Sequence, residues 1–334
     1  MPEKTKIMDN HGRPVNYLRL AVTDRCNLRC FYCMPEEGIQ YLPKKELLTY
    51  EEMLRLVEIL GELGIDKVRI TGGEPFVRRD LMKFLKNLSQ IDYIKEIVIT
   101  TNGVLAAPYI AELKSLGIKS INLSLDTLDK ERFFSITRRD EFEKVNETFH
   151  TILKHKIPLK LNTVVMEGQN EEDILPIVEL TKQYPVSVRF IEEMPFNGEG
   201  AKYPQLKWTY IKILDHIREA YPSLQKLEDD PHSTSYNYSI PGHLGDFGVI
   251  AAFSRTFCGS CNRIRVTAQG MLKTCLYDQG VLDIKQLLRS GDDNSIIKSA
   301  LLRAFGNRAK DGYEAEANRS SNTPISESMS TIGG

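Results

Sequence analysis

Apolar and polar positions alternate over residues 17–22, Tyr17-Leu18-Arg19-Leu20-Ala21-Val22, and predict a first strand. A helix is expected over 49–63, with Thr49 and Glu52 at capping-box spacing and Gly64 as its stop. The short strand 67–71 runs into Gly72-Gly73-Glu74-Pro75, and Asp80 is expected to cap a helix over 81–88. The pattern then repeats: strand 96–100, turn Asn102-Gly103, helix 108–116, strand 120–125 and helical stretches to about residue 155. Strands over 159–165 and 186–191 follow, with a helix over 171–183 between them.

These make six strand–helix units in about 195 residues, which implies a parallel sheet with right-handed crossovers. A closed eight-fold barrel takes about 250 residues. The expected fold is therefore α/β, an incomplete, open (β/α)6 TIM-like barrel; periodicity alone also allows a doubly wound open sheet. From about Phe196 the pattern becomes irregular, and Asn197-Gly198-Glu199-Gly200 reads as a boundary. Two domains are expected: the barrel over 10–195, and a smaller C-terminal domain over 196–334 covering the open side.

Composition narrows the function classes. The 334 residues carry a net charge of −1, with 41% hydrophobic and 27% charged residues, as in an ordinary globular protein. So even a balance gives no overall attraction to nucleic acid or an anionic membrane, and any anion site must be a local cluster of base. There is no apolar run of about 18 residues to span a membrane, and Met1-Pro2-Glu3-Lys4-Thr5-Lys6 does not open a secretory signal. A cytoplasmic location is expected, where six cysteines argue for metal more than for disulfides.

Those cysteines fall in two sets of three. Cys26, Cys30 and Cys33, spaced Cys-x3-Cys-x2-Cys, follow the first strand. Thiolates are soft ligands suited to iron–sulfur clusters or zinc, and three of them leave one iron of a four-iron cluster open. The bland reading is a buried helical stripe of small residues. Cys258, Cys261 and Cys275 are spaced Cys-x2-Cys-x13-Cys. A structural zinc site needs four ligands; His243 is the closest histidine, but its loop lacks zinc-ligand spacing. On spacing alone both zinc and an open cluster remain. Two open clusters suggest one for cofactor and one for substrate.

In parallel α/β folds the ligand lies at the C-terminal strand ends, and here those ends are polar or glycine-rich. Arg19, Arg69, Lys160 and Arg189 lie inside apolar strands, where they suggest an anionic ligand. Internal ion pairs with Glu74, Asp126 or Glu192 are the alternative. Arg263 and Arg265 point to one side of an extended segment and suggest a phosphate clamp; a solvated edge strand is the plainer reading.

The triad at Cys26, Cys30 and Cys33, with Tyr32 before the last cysteine, resembles the signature of the radical S-adenosylmethionine (SAM) enzymes, and Gly72-Gly73-Glu74-Pro75 resembles their Gly-Gly-Glu-Pro motif. Residues 26–38, 71–75 and 257–265, Cys275-Leu276 and Ile332-Gly333-Gly334 together resemble the GTP 3′,8-cyclase family. That resemblance implies a lyase that converts GTP to (8S)-3′,8-cyclo-7,8-dihydroguanosine 5′-triphosphate, the first step of molybdenum cofactor biosynthesis. It implies two [4Fe-4S] clusters, on Cys26, Cys30 and Cys33 and on Cys258, Cys261 and Cys275. It places SAM contacts at Tyr32, Gly73, Glu74, Ser124 and Met194, and GTP contacts at Arg19, Arg69, Thr100, Lys160, Arg263, Ile264 and Arg265. Arg19, Arg263 and Arg265, with a tail ending in Gly333 and Gly334 that reaches into the site, are implied in catalysis. A homodimer, a low-potential electron donor and a downstream cyclic pyranopterin monophosphate synthase (MoaC) are the implied partners, with no nucleic acid and no membrane. The competing readings are a radical SAM peptide maturase with an auxiliary cluster and a zinc-stabilised RNA-binding protein.

Overall fold

The computed structural model describes residues 7–196, 206–319 and 327–333. The expected boundary at Asn197-Gly198-Glu199-Gly200 lies outside the described residues, as does Gly334.

Six strands follow one another as β1 (Tyr17–Ala21), β2 (Lys67–Thr71), β3 (Glu96–Thr101), β4 (Ser120–Ser124), β5 (Leu159–Val165) and β6 (Val186–Glu192). They pair in parallel and in chain order. A doubly wound sheet would reverse its strand order at a switch point, so this is the partial barrel. Burial alternates along β5 and β6 because successive side chains point to opposite faces. Leu159, Leu161, Val188 and Phe190 pack outward into the main core, while Lys160, Asn162 and Arg189 line the interior.

Residues after 196 are expected to cover the open side; their strands also enter the sheet itself. β7 (Gln225–Lys226), β8 (Ser235–Ser239) and β9 (Asp246–Ile250) extend one edge, with β9 parallel to β6. β10 (Arg263–Val266), β11 (Met271–Lys273) and β12 (Leu282–Asp283) extend the other, with β10 parallel to β1. The result is one twelve-stranded sheet.

The helices cover its apolar face. α1 (Tyr50–Glu62) starts in the expected capping box: Thr49 Oγ1 accepts from Glu52 N at 3.2 Å, and Thr49 N donates to Glu52 Oε2 at 2.7 Å. α2 (Leu81–Leu88) departs from expectation, since Asp80 sits at φ 62° and makes no side-chain cap. Pro108 lies within a 3-10 turn (Ala107–Tyr109), so the α-helical part is only α3 (Ile110–Ser115). The helical stretch to 155 is two helices, α4 (Lys130–Thr137) and α5 (Phe142–Lys154), parted by Arg138 at φ 55°. A 3-10 turn precedes α6 (Ile174–Gln183). No helix among the described residues is long and apolar enough to cross a membrane.

Candidate functional site

Alternate residues of β1 to β6 line a cavity of about 510 Å³, within the range of small-molecule sites. All six cysteines are in its wall. Their places follow from topology. Cys26, Cys30 and Cys33 lie beyond the C-terminal end of β1, as expected. Cys258 and Cys261 precede β10, which runs parallel to β1, and Cys275 follows β11, which runs antiparallel to β10. The second set therefore lies at the N-terminal end of the barrel. The sequence pointed to the C-terminal strand ends, to basic residues inside the strands and to the second cysteine set, but not to the end of the barrel at which that second set lies. Side chains fill a closed barrel, whereas this open one keeps a cavity along its interior. The length of β1 separates the two sets, roughly 13 Å at about 3.3 Å per residue.

Loop contacts fix the first set. Arg29 N donates to Thr137 O at 2.9 Å and Phe31 N to Ile136 O at 3.2 Å. Gly73 N donates to Thr23 O, and Glu74 N to Arg25 O, both at 2.8 Å. A Cβ on Gly72 would lie 2.3 Å from Thr23 O, and one on Gly73 would lie 2.2 Å from Arg25 O. The paired glycines thus let the strand-end loop lie directly on the segment leading to Cys26. Burial pushes the Cys26 thiol up to about 12, Cys33 to about 11 and Cys30 well above its ordinary value. Without a metal these are neutral thiols; iron must displace their protons.

Burial likewise pushes the Asp126 carboxyl up to about 6, although Tyr32 Oη and Val164 N donate to it at 2.8 and 2.9 Å. Tyr32, Ser124, Gly73 and Met194 all line the cavity near the first set. Glu74 does not. It is fully buried and accepts from Thr101 Oγ1 at 2.8 Å, Asn102 N at 2.7 Å and Phe76 N at 3.1 Å. Both carboxylate oxygens are thus used in shaping the loop, so the expected SAM contact at Glu74 is corrected to a structural role.

Between the two ends lies a row of cations. Register places Arg69, Arg19 and Arg265 side by side on β2, β1 and β10. Burial, then the neighbouring Arg265 and Arg69, holds Arg19 well below its ordinary pKa, and burial brings Arg265 down to about 10. Arg19 Nε is buried without a partner. Arg69 donates to Tyr17 Oη at 2.6 Å and Thr100 Oγ1 at 3.3 Å, Arg265 to Gly333 O, and Arg263 to His232 O. Lys160 also lines the cavity. Arg189 differs from the expected anion-binding set, because Asp246 on β9 pairs with it at 2.9 Å. Adjacent cations that have no carboxylate partners among the described residues suit a polyanionic ligand.

Ile264 is corrected: its side chain is fully buried in the main core, on the opposite face of β10 from Arg263 and Arg265. His243 bonds Thr181 Oγ1 at 2.8 Å and is absent from the cavity wall. Gly333 reaches the cation row, at φ 84°, with its Cβ position 2.9 Å from Thr71 Cγ2. Tyr17, Asn122, Asp230, His232 and Ser233 also line the cavity. Sequence reasoning missed them: Tyr17 and Asn122 looked like strand interior, and the residues around 232 sit in an irregular segment.

Each set offers three thiols in the wall of a roomy cavity, soft donors of the kind that iron–sulfur clusters and zinc take.

Comparisons agree with this geometry. Residues 20–181 match the radical SAM superfamily, and residues 186–314 match the family described as Molybdenum Cofactor Synthesis C. The chain is 41% identical over 315 residues to GTP 3′,8-cyclase of Peptoclostridium acidaminophilum, covering 93% of this chain and 94% of that protein. It is 40% identical over 329 residues to GTP 3′,8-cyclase of Clostridium botulinum, covering 98% and 100%. It is 42% identical over 306 residues to molybdenum cofactor biosynthesis protein 1 of Bos taurus, covering 91% of this chain but 48% of that longer protein. The chain thus spans about half the length of this mammalian relative. Streptococcus suis SuiB bound to its precursor peptide SuiA shares the fold, with a TM-score of 0.64 at 15% identity, covering 93% of this chain and 69% of SuiB. The chain belongs to the radical SAM superfamily and, within it, to the GTP 3′,8-cyclase family.

Proposed function

We propose that this protein is a radical SAM lyase that converts GTP to (8S)-3′,8-cyclo-7,8-dihydroguanosine 5′-triphosphate. The observation that carries the reading is a row of cations that, among the described residues, have no carboxylate partners and lie between two cysteine triads in one cavity. Cys26, Cys30 and Cys33 would hold the cluster that binds SAM, with Tyr32, Gly73, Ser124 and Met194 in its wall. Cys258, Cys261 and Cys275 would hold a second [4Fe-4S] cluster with an open iron for guanine. When bound, the reduced cofactor cluster and SAM supply the 5′-deoxyadenosyl radical that takes hydrogen from ribose C3′, so that C3′ can join guanine C8.

The chain's own part is binding, orientation and exclusion of water. Arg19, Arg69, Lys160, Arg263 and Arg265 take the triphosphate, and Thr100 fixes the Arg69 guanidinium. Base and ribose are thereby held along the barrel axis between the two iron sites. Arg265 also holds the Gly333 carbonyl, which ties the tail to the same cation row. The division of labour follows 10–195 for the cofactor and 196–334 for the second cluster and tail. A cytoplasmic homodimer supplied by a low-potential electron donor, and passing its product to cyclic pyranopterin monophosphate synthase, completes the proposal. A peptide maturase accounts less well for the cation row.

The test is anaerobic reconstitution, iron counting, and incubation of the reduced protein with SAM, with and without GTP. About eight irons per chain, 5′-deoxyadenosine and consumption of GTP support the reading. About four irons with one zinc and no GTP turnover overturn it.

A further inference from the structure

Asp9 joins two buried arginines: Arg13 Nε lies 2.7 Å and Arg308 Nη1 3.1 Å from its Oδ2. The Asp9 and Arg308 side chains are 0% and 3% exposed. Removing such charges from water is costly unless every donor finds a partner. Apart from Arg308 Nε, which is buried without a partner, the remaining donors hold the backbone of the second cysteine set and of the segment after Arg308. Arg13 Nη1 donates to Cys258 O at 3.1 Å and to Lys310 O at 2.6 Å, and its Nη2 donates to Ala309 O at 2.8 Å. Arg308 Nη1 donates to Cys261 O at 3.2 Å. Its Nη2 donates to Arg263 O and Thr274 O, both at 3.0 Å, and to Cys261 Sγ at 3.7 Å. One guanidinium therefore grips the backbone at Cys261 and just before Cys275, and touches a ligand sulfur as well.

At the first cysteine set Arg29 Nη1 likewise holds the Cys26 and Leu28 carbonyls, at 2.7 and 2.8 Å, but the sulfurs themselves differ. Among the described residues its sulfurs receive bonds from neutral groups, such as Asn102 Nδ2 to Cys26 Sγ at 3.6 Å. Hydrogen bonds to cluster sulfurs and nearby positive charge favour the reduced, more negative cluster, and outer partners also fix ligand geometry.

We infer that Arg308, anchored by Asp9 beside Arg13, is a positioning residue of the second cysteine site, where it holds the ligand backbone and raises the reduction potential of the cluster. This rests on the reading that Cys258, Cys261 and Cys275 hold that cluster.

The test uses the reconstituted full chain: wild type, Arg308→Gln and Arg308→Lys. Iron is counted, each cluster is followed by EPR during a redox titration, and SAM is added to mark the first cluster by its altered signal. In Arg308→Gln the second cluster should titrate at a more negative potential and lose iron to a chelator roughly 10- to 100-fold faster, with the first cluster unmoved. Arg308→Lys should recover part of the potential but not the iron retention, because an ammonium cannot span the three carbonyls. A second cluster with wild-type potential and retention in Arg308→Gln overturns the inference. Should that variant fail to fold by circular dichroism, wild-type iron retention in Arg308→Lys overturns it equally. Wild-type protein with only about four irons removes the reading of the site itself; about eight irons with unmoved variants removes the role of Arg308 alone.

Discussion

Tyr17 Oη accepts a 2.6 Å hydrogen bond from Arg69 Nε, while Lys67 Nζ lies 5.2 Å from the centre of the same ring. Burial pushes the phenol up, but the charges of Arg69, Arg19 and Lys67 together outweigh it and bring the group down to about 8. Below that pH the phenol is neutral and the cation row keeps its full charge; above it a tyrosinate cancels part of that charge. GTP affinity should therefore be strongest below pH 8 and fall as pH rises through it, by at most about tenfold per pH unit. Dissociation constants measured from about pH 7 to about pH 9 should show this fall in wild type and a flatter profile in Tyr17→Phe. Parallel profiles would reject the coupling.

Gly73→Ala should disable the SAM end selectively. Its Cβ would lie 2.2 Å from Arg25 O and 3.1 Å from Asp24 O, both backbone atoms in the segment entering Cys26. That segment must move, so reductive cleavage of SAM should be lost while the second cluster is retained. Iron content should fall from about eight toward about four per chain. Wild-type cleavage rates would show that the close approach is not needed.

Cys275→Ala should do the reverse. The variant is expected to keep most of the reductive cleavage of SAM while abolishing cyclisation of GTP. Product analysis for 5′-deoxyadenosine and for the cyclised nucleotide separates the two. Loss of both together would contradict distinct roles for the two cysteine sets.

Arg265→Ala should weaken GTP far more than guanosine. A charge-assisted hydrogen bond contributes about 1.5–3 kcal/mol, so GTP affinity should drop roughly 10- to 100-fold while guanosine binding changes little. Calorimetric titration of both ligands reads this directly, and an equal loss for both would remove the phosphate clamp.

Legibility in the sequence followed the range of the interactions. β5 occupies the expected 159–165 because two-residue alternation is local, and the Thr49–Glu52 cap formed for the same reason. The six cysteines were legible as two sets because each set needs only short spacing. What stayed hidden was long-range. The pairing of Leu18 with Ile264 joins strands far apart in the chain, and no local pattern encodes it. Arg189 looked free until β9 brought Asp246 beside it. Glu74 looked like a ligand contact because it sits in a motif, yet its oxygens are spent on Thr101, Asn102 and Phe76. Arg308 carried no signal at all, since its partner Asp9 lies near the other terminus.

The pairing of β10 with β1 and of β9 with β6 has a practical consequence for anyone dividing this chain. A fragment ending near residue 195 would bare the main-chain donors and acceptors of Tyr17–Ala21 on one side and of Val186–Glu192 on the other. Unpaired edges of that kind recruit strands from other molecules. Such a fragment should aggregate, and its failure to cleave SAM would report lost solubility before it reported anything about chemistry.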